Sequence, residues 1–286
     1  MGDIHRYDVP GTWPTWCPGC GNFGIWNAVK NAFASMDLEP HTTVIVCGIG
    51  CSGNFSYWMN AYMLHSLHGR SIPAAQGVKL ANRDLTVIVH AGDGDTYGEG
   101  LGHLMHAARR NSDITVFVHD NQVYGLTTGQ PSPTSFKGTK WKVAPEGVFA
   151  SPVAPLPLAL IAGATFIGRG FSGEQKHLSD LIAKAVRHKG FSLVDIAQPC
   201  VTFNRVNTWK WWNEHIYKLE EAGYDPHDYE IALQKAREYA DKIPIGVLYE
   251  TDKPTFDDEY RALNAEPLVR VPIDAIDVDT LMARHV

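Results

Sequence analysis

Along residues 22–36, apolar side chains recur at Phe23, Ile25, Trp26, Val29, Phe33 and Met36, a spacing that predicts a helix with one buried face. The next run, 42–47 (Thr-Thr-Val-Ile-Val-Cys), is continuous, rich in β-branched residues and stopped by Gly48. That pattern predicts a strand covered on both faces. Residues 85–90 repeat it and end at Gly92-Asp93-Gly94; residues 114–119 repeat it again and end at Asp120-Asn121. A helical pattern over 97–110 separates these two strands. Further on, the pattern gives a strand over 164–168, a helix over 174–188, and a strand over 192–196 that leads to Pro199-Cys200. Strands alternating with helices predict an α/β fold, a parallel sheet with helices on both faces. Ligands of such sheets sit outside the carboxyl ends of the strands. The segments Gly48-Ile49-Gly50-Cys51, Gly92-Asp93-Gly94, Asp120-Asn121 and Cys200 all fall at that end.

The character changes at Trp209-Lys210-Trp211-Trp212. Amphipathic helices are expected over 212–221 and 229–242, followed by an acidic, proline-punctuated stretch over 252–259. The expected division is therefore an α/β domain over 1–205 and a helical extension over 206–286, packed on the core or on a partner subunit. Residues 147–168 contain no charged side chain, yet Pro152, Pro155 and Pro157 confine any helix there to a length too short to span a bilayer. A short buried helix feeding the 164–168 strand is expected instead. The first residues show no basic stretch followed by an apolar one, so no signal peptide is expected and the protein reads as cytoplasmic.

Composition narrows the class. The chain has 286 residues, 44% of them hydrophobic and 20% charged, as in a globular protein with a sizeable core. A net charge of -6 gives no general attraction to nucleic acid or to an anionic membrane. Five cysteines, an odd number, do not make a disulfide scaffold. Cys17-Pro18-Gly19-Cys20 points instead to metal or redox chemistry in a reducing compartment.

Gly92-Asp93-Gly94 alone is compatible with a tight turn. The 25 residues that separate it from Asp120-Asn121 hold one helix, and one helix is what brings two parallel strand ends side by side. A carboxylate and an amide oxygen on adjacent strand ends suit Mg²⁺. The glycines admit close approach of a diphosphate to backbone N–H groups, at the positive end of the following helix. A Walker loop is absent, and no Gly-x-Gly-x-x-Gly links a first strand to its helix. For the cysteines, a four-cysteine zinc site, a redox pair and an Fe–S cluster all remain open from spacing alone. Cys47 lies inside a strand and is expected to be a small buried hydrophobe.

Gly-Asp-Gly followed by Asp120-Asn121 resembles the thiamine diphosphate signature, which runs from Gly-Asp-Gly to Asn-Asn. Asp120 replaces the first Asn; the metal-contacting second Asn is retained as Asn121. The resemblance implies Mg²⁺ held by Asp93, Asn121 and the carbonyl of Val123. The motifs 16–21 (Trp-Cys-Pro-Gly-Cys-Gly), 48–53 (Gly-Ile-Gly-Cys-Ser-Gly), 65–70 (His-Ser-Leu-His-Gly-Arg), 77–82, 106–111, 124–130 and 198–200 (Gln-Pro-Cys) are similar to those of the β subunit of 2-oxoacid:ferredoxin oxidoreductases, in consistent order over residues 13–205. By that resemblance Cys17, Cys20, Cys51 and Cys200 hold one [4Fe-4S] cluster. Ile49, Gly50, Cys51 and Ser52 line the coenzyme, His68 approaches it as the catalytic candidate, Gly94 and Asp95 bind the diphosphate, and Gly125 and Leu126 continue the cradle. It further implies CoA-dependent oxidative decarboxylation of a 2-oxoacid, of the 2-oxoglutarate or pyruvate class, with electrons passing to ferredoxin. The glutamate that activates the coenzyme would come from an α subunit, or α plus γ, because the chain shows no second domain of this type. Two other readings fit parts of the pattern: an electron-transfer subunit with a vestigial diphosphate loop, and a decarboxylase subunit without a cluster.

Overall fold

The computed structural model describes residues 2–260, 266–272 and 277–284. Helix α1 (Asn22–Met36) leads to β1 (Thr43–Cys47), β2 (Tyr62–His65), α2 (Ser71–Ala81) and β3 (Thr86–Gly92). A wide, π-helical segment at Gly94–Glu99 precedes α3 (Leu101–Arg109), β4 (Thr115–Asp120) and a small hairpin of β5 (Val123–Tyr124) with β6 (Gln130–Pro131). Then come α4 (Pro155–Ala162), β7 (Phe166–Phe171), α5 (Gln175–Arg187) and β8 (Ser192–Ala197). The chain continues through α6 (Trp209–His215), β9 (Ile216–Lys218), α7 (Tyr229–Ala236), β10 (Ile243–Glu250) and the short α8 (Phe256–Glu259).

Eight strands form one sheet in the order β2-β1-β3-β4-β8-β7-β10-β9. Every neighbouring pair is parallel except β10 with β7. The continuous apolar runs are explained by burial on both faces. Val44, Val46, Val87, Val89, Val116 and Val118 pack on one side of the sheet, while Ile45, Cys47, Ile88 and Phe117 pack on the other. Helices α1 and α5 cover the second face and lie against each other. The α/β architecture with helices on both faces is as the sequence predicts. Among the described residues no helix is long and apolar enough to cross a membrane.

Three local differences have physical causes. The strand expected over 164–168 is β7 at Phe166–Phe171, because Gly163 adopts φ 102° and closes α4 with a bond from Ala164 N to Ala159 O. The helix expected over 97–110 begins earlier, with the π-helical segment, whose bond from Gly100 N to Asp95 O closes a five-residue turn. The extension carries helices, but α6 and α7 are shorter than expected, and β9 and β10 add two strands to the main sheet. Pro244 and Gly246 interrupt the apolar pattern of β10 and conceal it in the sequence. The sheet thus includes residues on both sides of position 205; the rest of the extension lies partly outside the described residues.

Candidate active site

The loops after β1, β3 and β4 meet at the carboxyl end of the sheet, because these three strands are parallel neighbours. Between them lies a narrow cleft of about 70 Å³, lined by Ile49, Gly50, Cys51, Ser52, His68, Asp93, Gly94, Asp95, Asn121, Val123, Gly125 and Leu126, with His119, Tyr124 and Thr127 among the others. Every residue expected at the coenzyme or the Mg²⁺ therefore lines one space. The Tyr124 ring narrows it: a Cβ at Gly94 would lie 2.2 Å from Tyr124 Cε1.

Asp93 and Asp120 are buried and share a hydroxyl. Thr134 Oγ1 is 2.6 Å from Asp93 Oδ2 and 2.9 Å from Asp120 Oδ1, and Ser132 Oγ donates to Asp93 at 2.5 Å. Burial, then the Asp120 carboxylate, holds Asp93 above the ordinary carboxylate range. Asp195 is buried behind them, accepts from Tyr97 at 2.8 Å, and has Arg169 Nε at 3.9 Å. Such a concentration of buried carboxylates suits a bound divalent cation, which relieves the penalty of ionising them. Asn121 Oδ1 accepts from Val123 N at 3.0 Å, so the amide and the Val123 backbone are fixed relative to each other.

The Asp95 carboxylate makes contacts within the protein through one of its two oxygens, the other being buried without a partner. Its Oδ1 accepts from Ile49 N at 3.1 Å and Gly69 N at 2.9 Å, and lies 2.9 Å from His68 Nδ1. The carboxylate thus ties the loop after β1 to the loop carrying His68. His68 also lies 3.3 Å from Glu99 and remains exposed at the cleft mouth.

A second cavity, of about 220 Å³, adjoins the first. It is lined by Cys17, Cys20, Cys51 and Cys200, with Trp16, Asn121, Gly125, Leu126 and Gln198. Cys51, Asn121, Gly125 and Leu126 line both spaces and form their common wall. Gly125 keeps it thin, since a Cβ there would lie 3.7 Å from Cys51 Sγ and 3.8 Å from Cys200 Sγ. Burial pushes the Cys20 thiol up to about 12, offset by the Asn22 N–H and reinforced by the nearby Cys200, Cys51 and Cys17. Burial likewise raises Cys51 to about 11, with Cys200 and Cys17 adding to it. A metal centre would reverse this by binding the thiolates. Among the described residues no three acidic, cysteine or histidine side chains close on a point as a single-ion site needs. Cys47 is elsewhere, fully buried in β1.

The family model described as thiamine pyrophosphate enzyme, C-terminal TPP binding domain, matches residues 9–196, and the model for the C terminal of the pyruvate ferredoxin oxidoreductase beta subunit matches residues 200–265. The chain is 43% identical over 263 residues to the 2-oxoacid:ferredoxin oxidoreductase subunit beta of a Sulfolobus species, spanning 87% of this chain and 86% of that one. The chain belongs to the 2-oxoacid:ferredoxin oxidoreductase β-subunit family. Its members are oxidoreductase subunits of heteromeric enzymes, as their names state. This β subunit is also 43% identical over 189 residues to the 2-oxoglutarate oxidoreductase subunit KorB of Mycobacterium tuberculosis, spanning 66% of this chain and 51% of that one. A solved 2-oxoglutarate:ferredoxin oxidoreductase from Magnetococcus marinus, with 2-oxoglutarate, coenzyme A and succinyl-CoA bound, superposes with a TM-score of 0.91 at 35% identity, covering 100% of this chain and 96% of that one.

Several residues of the β-subunit site carry no motif. Ser132 and Thr134 sit in a proline-rich loop and become recognisable only once their hydroxyls meet Asp93. Tyr239, from the extension, donates to Asp120 Oδ2 and accepts from Gln122 Nε2 at 3.1 Å. His119 lines the cleft and joins a buried chain, with Nε2 2.9 Å from His90 Nδ1 and Nδ1 2.7 Å from Asn22 Oδ1. A histidine inside an apolar strand run is the signal that marks His90 and His119.

Proposed function

We propose that this β subunit, together with an α partner, carries out the CoA-dependent oxidative decarboxylation of a 2-oxoacid, 2-oxoglutarate foremost, to acyl-CoA and CO₂, and passes the electrons through a [4Fe-4S] cluster to ferredoxin. The observation that carries the reading is the wall shared by the coenzyme-type cleft and the four-cysteine cavity, built from Cys51, Asn121, Gly125 and Leu126. Electron transfer from one bound group to another needs that adjacency.

The residues present fit the implied groups. Asp93, the Asn121 amide and the Val123 carbonyl would hold Mg²⁺, a hard cation that takes oxygen ligands. Ile49, Gly50, Ser52, Gly94, Gly125 and Leu126 would receive thiamine diphosphate, with Asp95 fixing the two loops above it through backbone N–H groups. Cys17, Cys20, Cys51 and Cys200 would bind the cluster as thiolates. When bound, thiamine diphosphate supplies the electron sink that loss of CO₂ from a 2-oxoacid requires. His68, exposed beside Asp95 and Glu99, is placed to orient a substrate or exchange a proton at the cleft mouth. The acids near the cleft are already engaged: Asp93 with Ser132 and Thr134, Asp95 with the two loops, Glu99 with His68 and Tyr124. The coenzyme-activating glutamate is accordingly assigned to the α partner. The 2-oxoglutarate preference follows the names of the relatives matched.

The test is anaerobic purification of the native complex, analysis of iron, sulfide and thiamine diphosphate, and a CoA-dependent assay over a panel of 2-oxoacids. Turnover of 2-oxoglutarate with ferredoxin reduction is expected. Turnover by the β subunit alone would overturn the division of the site between two subunits, and a preference for pyruvate would overturn the substrate.

A further inference from the structure

The four cavity cysteines are not equivalent. Cys17 is exposed, Cys51 and Cys200 are half-buried, and Cys20 is buried. At Cys20 the fold sets a side-chain amide against the sulfur. Gln198 Nε2 lies 3.2 Å from Cys20 Sγ, and the backbone N–H of Asn22 also donates to this sulfur. Gln198 is itself buried, 1% exposed.

The orientation of that amide is fixed by its other contact. The same Nε2 donates to Pro199 O at 3.0 Å, using the second of its two hydrogens. A flipped amide would set Oε1 against a carbonyl oxygen, so the N–H must face the sulfur. In return, Gln198 Oε1 is buried with no partner. A buried acceptor left unpaired destabilises a fold, and its persistence asks for an explanation. The surroundings also make room for it. A Cβ at Gly21 would lie 2.9 Å from Gln198 Cγ, and Gln198 N is held by Asp120 O at 2.9 Å at the end of β8.

We infer that Gln198 sets the reduction potential of the cluster by donating its buried N–H to the Cys20 sulfur. This rests on the proposal that Cys17, Cys20, Cys51 and Cys200 hold a [4Fe-4S] cluster. Reduction adds one negative charge to the cluster and its thiolates, and an N–H aimed at a ligand sulfur stabilises that added charge more than it stabilises the oxidised form. Gln198 therefore raises the potential and eases the acceptance of an electron. It acts through Cys20 and touches no substrate.

The test is a redox titration, by the visible and EPR signals of the cluster, of the anaerobically purified complex carrying Gln198→Met or Gln198→Glu. Gln198→Met removes the donor at similar length; Gln198→Glu keeps the shape and sets a carboxylate oxygen where the N–H was. With native iron and sulfide content, the midpoint potential is expected to shift negative in the first and further negative in the second. An unchanged or more positive midpoint in a loaded variant would overturn the inference. Loss of the cluster in both would overturn it too, because Gln198 would then be a builder of the cavity. Wild-type complex without iron and sulfide would overturn the cluster reading itself, and the role of Gln198 with it.

Discussion

Cys47 and Cys51 are four positions apart and have opposite surroundings. Cys47 is fully buried in β1 among Ile45, Ile88 and Phe117, while Cys51 opens onto the wall between the two cavities. Cys47→Ala is expected to keep full iron content and to lose ~1 kcal/mol of stability, the cost of deleting one buried heavy atom. Cys51→Ala and Cys200→Ala should purify without the brown cluster absorption; retained iron in either would remove that residue from the ligand set. A pH effect belongs at this scale as well. With Asn22 Oδ1 as acceptor, His119 Nδ1 donates to it, and His119 Nε2 then accepts from His90 Nδ1, so the His119 ring is neutral. Burial, then the neighbouring His119, holds His90 well below its ordinary 6.5. The unfolded chain therefore binds a proton that the folded chain refuses. The contribution of His90 is fully present above about pH 6.5 and is lost progressively as pH falls below it. His90→Gln does not titrate, so its stability deficit against wild type, measured by urea unfolding, should shrink between pH 7.5 and about 5. A deficit constant across that range would mean that His90 is not held neutral.

Helix α1 starts two residues after Cys20 and thus connects a cavity cysteine to the core. Its close contact is at Gly24, where a Cβ would lie 2.2 Å from the backbone oxygen of Ser172. A backbone oxygen at a strand end has little room to retreat. Gly24→Ala should cost about 1–3 kcal/mol by overpacking and lower the cluster content, because the helix must move and carry Cys20 with it. Gly77 is the contrast: it lies in α2 with nothing within 4 Å of an added Cβ. Gly77→Ala should raise stability by about 0.5–1 kcal/mol through a less free unfolded chain. Urea unfolding of the two variants checks both signs. The elements that sequence reveals follow the same logic of surroundings. Strands β1, β3, β4 and β8 are legible because burial on both faces leaves mostly apolar runs, into which His90, His119 and Asp195 intrude. β10 is not, because Pro244 and Gly246 interrupt its run, and Gly246 adopts φ 126°. The strand-end residues of the site are legible because topology forces them together; Thr134 and Tyr239 are not, since nothing local tells a loop threonine or a loop tyrosine that it faces Asp120.

At the scale of the whole molecule, the question is whether residues 206–286 are an appendage or part of the fold. β10 pairs antiparallel with β7, so without it β7 would be an open edge. Arg169 on β7 is 2% exposed, and its guanidinium donates to Ala236 O at 3.1 Å and Glu238 O at 2.9 Å. Its Nε lies 3.9 Å from the buried Asp195, so the cation is needed where it is. Tyr239 completes the set by donating to Asp120, next to the proposed Mg²⁺ ligand Asn121. A chain ending at residue 205 would keep Arg169 and lose every one of those carbonyl partners. The segments removed are also those that bury Arg169, so the cut opens Arg169 and Asp195 to water and costs the packing around them, in a fold of a kind held together by only about 5–15 kcal/mol. The exposed β7 edge and the lost apolar contacts of Trp212, Ile243 and Ile245 add to that cost. Residues 1–205 alone should therefore give no cooperative thermal transition and should aggregate through β7, whereas the full chain melts sharply. A fragment that melts cooperatively would make the extension dispensable for the fold. Binding of thiamine diphosphate and Mg²⁺ by such a fragment, measured by calorimetry, would then show whether the extension matters even to the site.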